Sequence, residues 1–306
     1  MNMEKTVPVL VTGGRGMLGR ALALEASRFP ALTVHTPGRE ELDVRDPAAL
    51  DAWADRVAGG WIIHCAARVD VEGCAREPDA ARETIVTGTR NAVALARKAS
   101  ARFVFPQSFL TYDGATNPIP EDEEPRPLSF YGELKLAAEH EVTAAIPDAT
   151  IVRMAGFFGG EEADKNFVGR IIPVMRAAID RGDARFEVGD RVWQPTWTND
   201  LAFNTLALVA AGASGSYQMA CRGEATFAQI AEEIVIALGW SDRLKVVTVA
   251  ATAVSGNELG RRPDRAVLSC ARLDAEHRNL QRDWRATLHA YLSHPFFDRY
   301  RLEAAR

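Results

Sequence analysis

Tyr131 and Lys135 stand four residues apart in Tyr131-Gly132-Glu133-Leu134-Lys135, a spacing that puts a phenol and an ammonium on one face of a helix. A phenol is a weak acid, with an ordinary pKa of about 10, and a cation beside it favours the phenolate and eases proton exchange near neutrality. Such a pair can give a proton to a ketone oxygen as negative charge develops on it. Ser108 adds a hydroxyl that could hold the same oxygen. Spacing alone does not decide this, because a Tyr and a Lys at this interval commonly form a solvated surface pair. The companion that changes the odds is the run Val-Leu-Val-Thr-Gly-Gly-Arg-Gly-Met-Leu-Gly at residues 9–19, an apolar strand entering a glycine turn that opens a helix. Gly13 permits the tight turn, Gly16 lets the backbone approach a pyrophosphate, and Gly19 lets the helix pack on the strand. The helix starting at Met17 and Leu18 offers unpaired N–H groups to phosphate. A dinucleotide site beside a Tyr/Lys pair points to hydride transfer between a nicotinamide and a carbonyl.

These groups need a scaffold, and the first half of the chain supplies one. Strands are expected near Val9–Val11, Leu32–His35, Trp61–Ala66, Arg102–Pro106 and Thr150–Met154. Helices are expected at Met17–Arg28, Pro47–Val57, Asp79–Ser100 and Ser129–Ala145. The alternation reads as βαβ units in a doubly wound parallel sheet of the Rossmann type. The Pro-, Gly- and acid-rich segment from Gln107 to Leu128 is too long for a simple connector and is expected to be functional. A dinucleotide-binding domain is expected over 1–155 and a smaller α/β substrate lobe over 156–306, with later segments such as 189–212 returning to the first. In the second half, helices are expected near Phe167–Arg181 and Asn199–Ala211, strands near Arg185–Val188 and Ser216–Ala220, and a helix at Phe227–Leu238. Thr226 and Gln229 are spaced as a capping box for that last helix.

Composition narrows the function classes. A net charge of -5 without a concentrated basic run argues against nucleic acid or an anionic membrane as the main partner. Cys65, Cys74, Cys221 and Cys270 are scattered without paired CxxC spacing, so neither a disulfide framework nor a zinc site is expected. His64 lies in an apolar strand with no second ligand at metal spacing and reads as structural, so no metal is expected. The polar lead Met1–Lys5 is no signal segment and no apolar run reaches membrane-spanning length, which makes the cytoplasm the default location.

Several segments together resemble the extended short-chain dehydrogenases/reductases, and within them the dTDP-4-dehydrorhamnose reductases. They are Thr12–Gly19, Leu42-Asp43-Val44-Arg45-Asp46, Ile62-Ile63-His64-Cys65-Ala66-Ala67, Tyr112-Asp113-Gly114, Tyr131–Lys135, Gln194-Pro195-Thr196-Trp197-Thr198-Asn199-Asp200-Leu201-Ala202, and Arg262-Pro263. The resemblance covers nearly the whole chain. It implies that Tyr131 is the proton donor, that Lys135 lowers its pKa and binds a cofactor ribose, and that Ser108 fills the family's Ser/Thr position. It places Asp43 and Val44 by the adenine, and Cys65, Ala66 and Ala67 along the cofactor. Phe109, Asn166, Trp193, Gln194, Thr196 and Arg262 fall where the sugar-nucleotide pocket is expected. Three positions depart from the family pattern: Phe109 where a polar residue is usual, Ile85 in the fourth helix and Cys65 before the double alanine, both in place of Asn. After the second strand, Arg39 replaces the acid that would bind the ribose of NAD, and with Arg15 it favours NADPH, NADH being the weaker choice. The activity implied is reduction of the 4-keto group of a nucleotide-linked 6-deoxysugar, dTDP-linked by the family's pattern. Alternatives are a sugar-nucleotide epimerase of the same superfamily, or a non-catalytic NADP-binding regulatory subunit. A homodimer is compatible with the apolar helices.

Overall fold

The computed structural model describes residues 6–254, 256 and 258–302; the polar lead Met1–Lys5 lies outside the described residues. Six parallel strands form the central sheet: β1 (Val7–Thr12), β2 (Leu32–His35), β3 (Trp61–His64), β4 (Arg102–Ser108), β5 (Thr150–Met154) and β6 (Gly215–Met219), in spatial order β6-β5-β4-β3-β1-β2. Their apolar runs follow from burial on both faces: β3 and β5 are buried at every position, as parallel strands covered by helices must be. One face packs under helices α1 (Met17–Glu25) and, from later in the chain, Thr198–Ala210, through Val9, Val11, Leu18, Leu22, Leu201 and Leu206. The other face is covered by α2 (Gly88–Lys98) and α3 (Phe130–Ala145), with Ile62, Phe103, Phe105, Leu134 and Ala138 between them. The chain turns from β1 outward to β2 and then crosses back to β3, so the order reverses between β1 and β3. The crevice at the carboxyl ends of these two strands is where open α/β sheets bind ligands.

Beyond β5, helix α4 (Phe167–Asp180), the strand pair Arg185–Gly189 and Lys245–Val249, and helices Phe227–Ala237 and Trp284–Leu292 enclose a second core around Phe158, Ile172, Ile234, Trp240 and Leu288. The capping box is present, with the Thr226 hydroxyl accepting from the Gln229 N–H at 3.1 Å and the Gln229 side chain accepting from the Thr226 N–H. The expected elements are refined at several points: the helix expected at Pro47–Val57, for one, is α-helical over Pro47–Asp51 with a 3-10 turn at Asp55–Val57. The strand near Ser216–Ala220 is the edge strand β6 of the main sheet, paired with β5 from Gly215↔Thr150 to Met219↔Met154. The single helix expected at Asp79–Ser100 is Pro78–Arg82, a π-helical stretch Glu83–Thr87 and α2. Gly88, directly after the π stretch, sits so close to Val44 that a Cβ would lie 2.7 Å from its Cγ2. The Thr89 hydroxyl donates to the Ile85 carbonyl, and Ile85 itself is buried in the apolar core. Helix Val71–Arg76 lacks a sequence-based expectation. Among the described residues no helix is long and apolar enough to cross a membrane.

Candidate active site

The glycine turn at the end of β1 is set by contact as well as by conformation. Gly13 has φ of +68°, and a Cβ there would come within 2.8 Å of the Ala66 backbone. A Cβ at Gly19 would lie 2.5 Å from the Gly13 carbonyl oxygen, so only glycine lets α1 pack this tightly on the turn. Gly16 is the N-cap of α1 and has no side-chain acceptor, leaving the N–H groups of the first turn for an anion. Met17 is half-buried and Leu18 buried. Arg15 and Arg39, at 72% and 70% side-chain exposure, flank the rim. Asp43 is tied to Arg45 at 2.6 Å and lies 3.4 Å from Arg39. The Arg45 hydrogen bond above all holds its carboxyl well below the usual range. Val44 is buried under Gly88. An open turn that a Cβ would fill, unpaired amides and two exposed guanidiniums suit a dinucleotide carrying an additional phosphate.

The floor between β1, β3 and α2 is a fixed polar chain. His64 is buried between the hydroxyls of Thr12 at 2.9 Å and Thr89 at 3.1 Å, and the Ala66 N–H donates to Thr12 Oγ1 at 3.3 Å. Burial, aided by the Lys135 charge, lowers His64 to about 3, so the ring is neutral. Cys65, Ala66 and Ala67 follow, half-buried. Burial pushes the Cys65 thiol up to about 12 although Lys135 pulls the other way.

Ser108 ends β4, and its Oγ accepts the Leu110 N–H at 3.1 Å in the turn Phe109–Thr111. Ser129 caps α3, accepting the Gly132 N–H at 3.2 Å, and so aims the next turn of the helix at the strand ends. Tyr131 and Lys135 are both buried on that face. Burial raises the Tyr131 phenol above its ordinary value, the neighbouring Cys74 adds to this, and a hydrogen bond with the Ser108 side chain works against it. The Lys135 ammonium donates to the Pro106 carbonyl at 2.8 Å and lies 4.0 Å from the Phe105 ring centre. Burial brings it down to about 8. Tyr131 is thus held above its ordinary pKa, contrary to the expectation that Lys135 lowers it: the ammonium is drawn toward Pro106 and Phe105, and desolvation dominates at the phenol.

On the lobe side the candidates are placed differently. Phe109 is half-buried where the two main cores meet. Asn166 precedes α4 and donates to the Phe157 carbonyl at 2.7 Å, with Met17 Sδ 3.9 Å from the same nitrogen, which brings it to the glycine turn. Trp193 is buried edge-on to Phe227, its indole N–H without a partner among the described residues. Gln194 is committed internally, accepting the Leu268 N–H at 2.7 Å and donating to the Leu268 carbonyl at 3.3 Å. Thr196 is fully buried, donating to the Gln194 carbonyl and accepting the Cys221 N–H at 2.9 Å. Arg262 is held by Glu72 at 3.2 Å and by the Gly260 carbonyl at 2.9 Å. The structure therefore gathers Ser108, Tyr131, Lys135 and the glycine turn at the strand ends, and engages Gln194, Thr196 and Arg262 elsewhere within the chain. Sequence reasoning missed Cys74, Gln107, Glu139 and Arg153 around this site. For Glu139 the signal was available, one further helical step of four beyond Lys135.

The sequence profile of the family described as RmlD substrate binding domain matches residues 7–296. The chain is 34% identical over 265 residues to a dTDP-4-keto-6-deoxy-D-glucose reductase of Streptomyces niveus, covering 85% of this chain and 87% of that one. A crystal structure of a dTDP-4-dehydrorhamnose reductase from Clostridium acetobutylicum is similar with a TM-score of 0.83 at 27% identity, covering 94% of this chain and 98% of that one. A dTDP-4-dehydrorhamnose reductase from Bacillus anthracis, solved in complex with NADP, shares the fold with a TM-score of 0.83 at 21% identity over 95% of this chain and all of that one. With this fold, this site and a match running through both halves, the chain belongs to the RmlD substrate binding domain family, among the extended short-chain dehydrogenases/reductases.

Proposed function

We propose that the protein reduces the 4-keto group of a nucleotide-linked 6-deoxysugar, with NADPH as the cofactor. The observation that carries this is the buried Tyr131 phenol beside the Ser108 hydroxyl, with Lys135 one turn on, at the strand ends beside the open glycine turn. The turn at Gly13–Gly19 would hold the pyrophosphate, and Arg15 and Arg39 the additional phosphate. When bound, the dinucleotide supplies the hydride for the ketone carbon. Ser108 holds the ketone oxygen against Tyr131, and the phenol gives that oxygen its proton as charge builds there. A phenol kept above its ordinary pKa stays protonated until the alkoxide, a far stronger base, takes the proton. Lys135, charged below about 8, provides a cation under the site and a donor for the ribose. The reductase name of the Streptomyces niveus relative supports the substrate class. The test is to mix the protein with NADPH, and separately NADH, and a panel of dTDP-4-keto-6-deoxyhexoses, following loss of the reduced nicotinamide. Oxidation that depends on one sugar, faster with NADPH, is the expected result; NADPH binding without oxidation by any sugar overturns the reading.

A further inference from the structure

Beneath Ser108, Tyr131 and Lys135 lies a buried polar cluster to which the chemistry above assigns no part. Tyr131, Lys135 and Glu139 follow one another at intervals of four along α3, so they share a face. Glu139, Gln107 and Arg153 are 6%, 3% and 7% exposed. Glu139 pairs with Arg153 of β5. The Gln107 carboxamide uses all its main capacity here: Nε2 donates to the Lys135 carbonyl at 2.9 Å and to Glu139 at 2.8 Å, and Oε1 accepts the Ser108 N–H at 2.8 Å.

We propose that Gln107, Glu139 and Arg153 form a positioning unit for the site, in which one carboxamide locks the Ser108 backbone to α3 at Lys135 and a fixed carboxylate faces the Lys135 ammonium. This rests on the reductase reading of the site. Two elements that must keep their spacing, the end of β4 and the middle of α3, are joined through a single planar group, so a shift of either displaces the hydroxyl from the phenol. The charge argument runs in parallel. Lys135 faces Glu139 on its own helix and His64 and Cys65 at the end of β3, with Tyr131 one turn before it. His64, Cys65 and Tyr131 are neutral at ordinary pH, so Glu139 is the anion that counters desolvation of the ammonium. Arg153 holds that anion in place. Its guanidinium lies 6.0 Å from the ring centre of Tyr112, and its Nε has no hydrogen-bond partner among the described residues.

The test uses the full chain and two readouts. In Glu139→Gln, nitrogen-15 NMR of the lysine side chains, with Lys135 assigned through Lys135→Met, is expected to show the Lys135 titration moved at least about one pH unit lower than in the wild type. The alkaline limb of kcat is expected to move with it. Gln107→Met keeps the charges and is expected to lower kcat about 100-fold with the Lys135 titration in place. If Glu139→Gln alone does not fold, Glu139→Gln with Arg153→Met removes the stranded guanidinium and carries the same readout. An unmoved Lys135 titration, or wild-type kcat in Gln107→Met, overturns the proposal. A wild-type protein without turnover overturns the reductase reading instead, and the Lys135 titration still judges the positioning unit.

Discussion

The two sides of the cleft differ in how loosely they hold their polar groups. On the dinucleotide side, the first turn of α1 has no side-chain cap, Arg15 and Arg39 are largely exposed with only the peripheral ion pairs to Glu41 at 4.0 Å and Asp43 at 3.4 Å, and Ser108 lies beside Tyr131. On the lobe side, Gln194 is spent on Leu268, Thr196 on Gln194 and Cys221, and Arg262 on Glu72. The first side is ready for a ligand as folded. The second uses residues of the same polar types to hold its own chain, so a side chain's type there says little about what it touches.

This contrast can be broken in graded ways. Tyr131→Phe removes the proton donor and is expected to lower kcat by about two to four powers of ten while a fluorescence titration gives a nearly unchanged Kd for NADPH; unchanged turnover would remove Tyr131 from the chemistry. Thr196→Val strands the buried Cys221 N–H, and is expected to cost about 1–3 kcal/mol in urea unfolding with the KM for the sugar unaltered. A raised KM at full stability would move Thr196 to the ligand side. Arg39→Ser is expected to raise the Kd for NADPH about tenfold, the scale of one lost charge-assisted hydrogen bond, and to leave that for NADH in place.

Acid should affect the two sides with opposite sign. His64, lowered from 6.5 to about 3, stays neutral in the native state while the unfolded ring takes a proton. Its contribution is therefore complete above about pH 6.5 and is lost as pH falls toward 3. Asp164, at the start of the lobe, is raised from 3.8 to about 6 by burial, against hydrogen bonds from the Gly159 and Asn166 N–H groups. Its contribution is complete below about pH 3.8 and is lost as pH rises through 6. Urea midpoints at pH 7 and pH 5 read both: the fall on acidification is expected to be smaller in His64→Asn and larger in Asp164→Asn than in the wild type.

How much could be read beforehand follows the same division. The turn at Gly13–Gly19, strands β1 to β5 and the Tyr131/Lys135 pair are local patterns, set by residues adjacent or one helical turn apart. The commitment of Gln194 depends on Leu268, 74 residues away, and that of Thr196 on Cys221, 25 residues away. No local period carries such information. The π stretch at Glu83–Thr87 escaped because it is a one-residue departure from a helical pattern that holds on either side. Glu139 lay in plain helical register with Lys135, but its meaning came from Arg153 on a different strand. The phenol of Tyr131 shows the same limit: spacing shows that a cation is near and does not show where it turns.

Strand β6 has a consequence for how the molecule can be cut. It reaches the sheet only after the chain has built α4 and the turns around Trp193, yet it covers β5 along Gly215–Met219, with Thr150 Oγ1 also donating to the Ala213 carbonyl at 2.8 Å. A fragment ending near residue 155 would expose β5 as a bare sheet margin of five otherwise buried residues, open to pairing with any other extended chain. The halves are interleaved, and the piece that carries the glycine turn, the hydroxyl, the phenol and the ammonium is not a detachable module.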